Sequence, residues 1–141
     1  MAAGDPIGRL FNLVHTLGDS AYVNLKDAGA VTFVCQLDAG DTFTVSEATS
    51  VAGAGAQALA KITKFNTAAK AGGVWSTTSQ AAASTVVTAD SKVATITIRG
   101  EQLSDGYTYL KCASTSTGTV LAILHDLKTL QAPANLASVI V

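Results

Sequence analysis

Apolar and polar residues alternate along much of this chain in short runs, and clusters of Gly, Asp and Ser separate one run from the next. Residues 10–15 (LFNLVH) and 21–25 (AYVNL) are β-prone runs divided by Gly18-Asp19-Ser20, a turn cluster. In residues 30–37 the side chains of Val31, Phe33, Cys35 and Leu37 fall on one face. After Asp38-Ala39-Gly40, residues 41–48 place Phe43 and Val45 on one face and Thr42, Thr44 and Ser46 on the other. These two runs predict a hairpin with one wet face. Residues 84–88 and 92–99 continue the pattern, with Ala94, Ile96 and Ile98 alternating with Thr95, Thr97 and Arg99. Beyond the turn Ser104-Asp105-Gly106, Tyr107, Tyr109 and Lys111 oppose Thr108, Leu110 and Cys112. Residues 119–127 form a continuous apolar run, which predicts a strand covered on both faces, by the core and by a neighbouring subunit.

Elsewhere the pattern weakens. Residues 50–56 (SVAGAGA) read as a flexible Gly/Ala segment. Residues 57–65 fit a short helix, because Leu59, Ile62 and Phe65 recur at three-residue steps, and fit an alternating strand nearly as well. Residues 66–73 are polar and Gly-bearing, and a strand is expected around Val74-Trp75-Ser76-Thr77, which holds the only Trp. Pro133 closes the folded part, and the apolar tail ending in ASVIV is expected to be docked, since unpaired apolar ends recruit other chains. Six to nine short strands in 141 residues predict one all-β domain, a β-sandwich or jelly-roll-like fold. Extended arms at residues 1–9 and 132–141 and at most one short helix complete it. An immunoglobulin domain is excluded by spacing: Tyr109 stands three residues before Cys112 instead of two, and Trp75 follows Cys35 too distantly.

Composition sharpens this picture. Charged residues make up 13% of the chain, about half the ~25% of a typical soluble domain, so copies can approach one another with little charge penalty. The net charge is −1 and the nine Lys and Arg residues are scattered, which argues against direct nucleic-acid binding. The start MAAGDP lacks a secretory signal's basic and apolar regions, and no apolar stretch approaches the roughly 18 residues of a membrane helix. A soluble chain made in the cytoplasm, with no membrane partner, is expected. Cys35 and Cys112 have no metal-binding spacing and are expected as buried free thiols, with a disulfide as the alternative.

No constellation for chemistry emerges, so no catalytic, cofactor or metal residue is assigned. Gly53-Ala-Gly55-Ala-Gln-Ala58 matches a permissive dinucleotide fingerprint, but no acid follows before Asp90 to hold a ribose. His15, His125 and Asp126 would make a three-ligand metal site if the first and last strands paired. His125 and Asp126 are strand neighbours expected to point to opposite faces, which prevents simple mutual orientation. Asp38 with Asp41, and Glu101 with Asp105, read as solvated turn acids. Tyr22, Trp75, Tyr107 and Tyr109 are expected in core or interface packing.

The stretches RLFNLVHTLGDSAYVNLKDAGAVTFVCQLDAGDTFTVSEAT and LSDGYTYLKCASTSTGTVLAILHDL, followed by QAPANL, resemble small virion proteins of tailed bacteriophages that decorate or complete the head. The resemblance runs from Arg9 to Leu136. It implies a β-rich domain bound in many copies to the capsid exterior, reinforcing contacts between major capsid protein subunits, with no enzyme activity and no cofactor. A cyclic homo-oligomer, first of all a trimer, is the expected geometry because a closed ring hides every heterologous edge. The alternative is a host-facing module that shows residues 53–56 or 72–78 to a surface carbohydrate or protein.

Overall fold

The computed structural model describes residues 12–16, 21–36, 39–88 and 92–128. Eleven strands run through them: β1 (Asn12–Thr16), β2 (Val23–Asn24), β3 (Ala28–Gln36), β4 (Asp41–Ala48), β5 (Gln57–Ala58), β6 (Ile62–Ala69), β7 (Ser76–Ala83), β8 (Thr85–Thr88), β9 (Lys92–Arg99), β10 (Tyr109–Ser114) and β11 (Thr119–Leu127). They form two antiparallel sheets. The larger has the order β1-β11-β3-β9-β6-β7; the smaller has β2-β10-β4-β5, with β8 also paired to β4. The all-β fold is the one that the alternation predicts.

The two best alternating runs bury the residues expected of them. Val31, Phe33 and Cys35 of β3, Ala94, Ile96 and Ile98 of β9 and Val120, Ala122 and Leu124 of β11 line the inner face of the large sheet. Phe43 and Val45 of β4, Leu110 and Cys112 of β10 and Val86 of β8 line the small one. All belong to one core. The expected hairpin does not form. β3 pairs with β11 and β9, whereas β4 pairs with β10, β8 and β5, so the chain crosses from one sheet to the other between them. Two strands with one apolar face each can bury those faces by lying opposite one another as well as side by side. Periodicity does not distinguish these two arrangements.

Residues 57–65 are neither one helix nor one strand. β5 and β6 are joined by a tight turn in which Lys61 N donates to Leu59 O at 2.9 Å. Leu59, Ile62 and Phe65 are all buried, and the three-residue step from Ile62 to Phe65 comes from an irregularity in the β6–β7 register between Ile62 and Lys64. The strand also continues through residues expected to be loop, to Ala69, and the small-residue stretch after Trp75 is β7. The helical element among the described residues is a single 3-10 turn, Gly100–Gln102. In β11, Leu121 and Ile123 on the outer face are half-buried, so the second face of this apolar run is only partly covered. Leu37, Asp38 and the tail after Lys128 lie outside the described residues.

Candidate functional site

Polar side chains gather at three places. Two are seams where the chain turns between strands, and the third lies on the outer face of the large sheet.

At the first seam Asp41, expected as a solvated turn acid, is buried. Its Oδ1 accepts from Thr42 N at 2.7 Å and Thr115 Oγ1 at 2.8 Å, and its Oδ2 accepts from Ser114 Oγ. Ser114 Oγ in turn accepts from Gly118 N at 2.8 Å. A Cβ at Gly118 would lie 2.8 Å from Asp41 Oδ2, so only glycine fits there. Burial pushes the Asp41 carboxyl upward, but the hydrogen bonds from Ser114, Thr115 and Thr42 outweigh it and hold the group below its ordinary range. At the second seam Glu47 Oε1 accepts from Ser104 Oγ at 2.5 Å and Gln57 Nε2 at 2.7 Å, and Oε2 accepts from Ser104 N at 2.9 Å. Burial raises this carboxyl too, and the Ser104 and Gln57 bonds with the nearby Lys61 charge bring it below the usual value. The sequence reading missed Glu47; an acid in phase with Phe43 and Val45 on an otherwise apolar face was the available signal. Among the described residues no buried side-chain polar atom lacks a partner, so both carboxylates are consumed in holding loops.

The outer face carries a row. Asp126 Oδ2 lies 3.4 Å from His125 Nδ1, His125 Nε2 is 3.0 Å from Thr32 Oγ1, and Thr32 Oγ1 is 2.8 Å from Thr97 Oγ1. This corrects the expectation that His125 and Asp126 point apart. Asp126 has φ +54, a left-handed conformation that breaks strand alternation and turns its carboxylate back beside the histidine. Gly29, across on β3, makes this possible, since a Cβ there would stand 3.0 Å from Asp126 Cβ. The acid–histidine–hydroxyl order matches that of a hydrolase triad. Here it lies on the outer sheet face, with the Asp126 side chain 75% exposed.

The first and last strands do pair, as the metal-site idea required, but His15 is opposite Leu121 in the β1–β11 register. His125 is four residues further along β11, roughly 13 Å away at ~3.4 Å per residue. Among the described residues no three His, Cys, Asp or Glu side chains converge as a metal site. Gly53 and Gly55, at φ +81 and +64, sit in a defined turn closed by Thr49 N on Ala54 O at 3.0 Å and by Tyr107 Oη on Gly55 O at 3.2 Å. This segment is therefore an ordered loop, and the strand β5 follows it, so it offers no helix N-terminus for a pyrophosphate. Cys35 and Cys112 face each other from the two sheets, buried and unbonded, with sulfurs 3.7 Å apart. The hydrogen bond with Cys112, together with burial, pushes the Cys35 thiol well up.

The aromatic residues divide. Tyr22 is buried, with its ring 5.1 Å below Lys111 Nζ, as expected of a packing residue. Trp75 is 53% exposed and Val74 92% exposed, so the lone tryptophan lies outside the core. Both immediately precede β7, the last strand of the large sheet, and no described strand pairs with its other side. Thr78 stands opposite buried Phe65, on the core-facing side, yet is exposed. β7 therefore overhangs the smaller sheet. No charged residue occurs from Ala71 to Ala89, so this edge lacks the lysines that usually guard an open strand. No protein family, curated protein or solved structure matches the chain.

Proposed function

We propose that this protein is a structural component of a virion, bound in many copies to the capsid exterior, where it reinforces contacts between major capsid protein subunits. The observation that carries the reading is the β7 edge: an unguarded strand with Val74 and Trp75 exposed beside it. Strand edges and apolar side chains left open are the material of static interfaces, which gain strength from area and backbone pairing instead of reactive groups. The low charge content and the resemblance over Arg9–Leu136 point the same way. On this reading the copies associate in a closed ring, a trimer first of all. The test is copurification with assembled particles. A ratio near one to the main shell subunit supports decoration; a ratio far below one assigns the protein to a vertex or tail, and its absence from particles removes the reading.

One observation favours a second reading, a host-facing binding module. Trp75 is exposed within residues 72–78, and an indole face held in solvent is a stacking surface for a sugar ring. A glycan array separates the two, since saturable binding lost in Trp75→Ala supports the module and a blank array supports architecture alone.

A further inference from the structure

We propose that Cys35 and Cys112 form an oxidation site, at which a peroxide couples the two thiols into a disulfide that ties the two sheets together across the core. The inference stands apart from the virion reading, because it concerns the interior of the domain and no outer surface.

The chain has only these two cysteines, so one intramolecular pairing exists. Cys35 lies in β3 of the large sheet, opposite Val120 on one side and Ala94 on the other, and Cys112 lies in β10 of the small sheet, opposite Val45. All five residues are buried in the one core. The sulfurs are 3.7 Å apart, so a bond of ~2.05 Å requires them to approach by about 1.7 Å. Among the described residues no strand pairing joins the two sheets. The disulfide would add a covalent tie where packing alone holds them, and the loop it closes takes in β4 to β9. Cross-links that close long loops restrict the unfolded chain most. Cys112 is 3% exposed and Cys35 0%, so Cys112 meets the peroxide first. Its thiolate attacks one peroxide oxygen, giving a sulfenic acid and releasing hydroxide. The Cys35 sulfur then attacks the sulfenic sulfur, and its proton leaves with the sulfenic hydroxyl as water. Two thiols and one peroxide thus give one disulfide and two waters. The hydrogen bond with Cys112, together with burial, keeps the Cys35 thiol protonated at neutral pH, which leaves the pair reduced where peroxide is absent. Burial also selects the oxidant: a peroxide is little larger than water, whereas a peptide disulfide such as oxidised glutathione does not fit between the sheets.

The experiment treats the full wild-type chain with hydrogen peroxide at neutral pH, in buffer and in urea just below the unfolding transition, and then denatures it in an alkylating reagent. The expected product takes up no alkyl group and yields a linked Cys35–Cys112 peptide lighter by two hydrogen atoms, with no covalent dimer. Reading the result at the peptide separates it from oxidation of Met1 or Trp75. The urea midpoint should rise by about 1–2 M and return when dithiothreitol reduces the bond. The same treatment of Cys35→Ala should give no rise; should that variant not fold, the dithiothreitol reversal supplies the control. Oxidised glutathione at equal concentration should couple the pair more slowly than peroxide in buffer. Several outcomes overturn the inference: both thiols still open to alkylation after either peroxide treatment; oxygen added at Cys112 with no linkage; a disulfide between two chains; a linked monomer whose midpoint does not rise; or oxidised glutathione acting as fast as peroxide.

Discussion

β3 and β7 belong to one sheet and differ in length by a single residue, but they take opposite parts in the molecule. β3 is hydrogen-bonded on both sides, by β11 and β9, and sends Val31, Phe33 and Cys35 into the core. Among the described residues β7 is paired on one side only, and most of its side chains are exposed. The backbone of β3 is thus committed to the fold along both edges, while the outer edge of β7 has no described partner strand and the apolar residues before it are exposed. The difference is written in composition: β3 (AGAVTFVCQ) carries Val31, Phe33, Val34 and Cys35, and β7 (STTSQAAA) has only small or polar residues. A strand without large apolar side chains adds little burial to the domain, so its surface is available without loss of stability.

The largest effect that tests this contrast is a truncation in β3. Phe33→Ala should destabilise the domain by about 3–5 kcal/mol, the usual cost of emptying a core aromatic site. Thr78→Ala, in β7, should cost under ~0.5 kcal/mol. Urea unfolding of the two variants measures both. Equal losses would show that β7 belongs to the cooperative core and would end the contrast.

The seam acids come next. Asp41→Ala and Glu47→Ala should each cost about 1.5–3 kcal/mol, because charge-assisted hydrogen bonds are lost and the Ser114, Thr115, Ser104 and Gln57 donors lose their carboxylate acceptor. The same groups set an acid limit. Both carboxyls are held below their ordinary values in the folded chain, so the unfolded chain takes up protons first as pH falls. The stability they contribute is fully present above the unfolded values, about 3.9 and 4.3, and is lost as pH drops through the lower folded values. Thermal midpoints should therefore be flat near neutrality and fall below about pH 4.5. In Glu47→Gln the fall should be shallower, and an equally steep one would locate the acid sensitivity elsewhere.

The contrast also explains what could be read from the sequence. Where the alternation is strong, in residues 30–36, 41–48 and 92–99, strands and their inner faces are legible, because a period of two leaves one face to bury. The pairing is not legible, since β3 and β4 lie in different sheets around one core and both arrangements satisfy the same pattern. β7 was legible only at its start, Ser76-Thr77, for a related reason: its strand state beyond them goes with backbone pairing to β6 and not with large side chains of its own. The row Asp126–His125–Thr32 was hidden by a single torsion. Alternation places neighbours on opposite faces, and only the left-handed backbone at Asp126 brings its carboxylate beside His125. Candidate chemistry was thus least legible where local backbone departs from the strand period.

The smallest expected effect on folding sharpens the contrast most. Thr78→Lys places a charge in the middle of the regular part of the β7 edge, on a side chain that already faces solvent. The isolated domain should keep its unfolding midpoint to within about 0.5 kcal/mol, as exposed substitutions do. Any strand that pairs with this edge must bring the ammonium group against an uncharged neighbour, and lysines guard natural sheet edges by this cost. Sedimentation of the variant should accordingly show weaker self-association than wild type at every concentration, with no change in the spectrum of the fold. A charge on an outward residue of an inner strand, Thr95→Lys, has the same chemistry but no free backbone beside it. If both variants weaken association equally, general surface charge and not the open edge of β7 governs it.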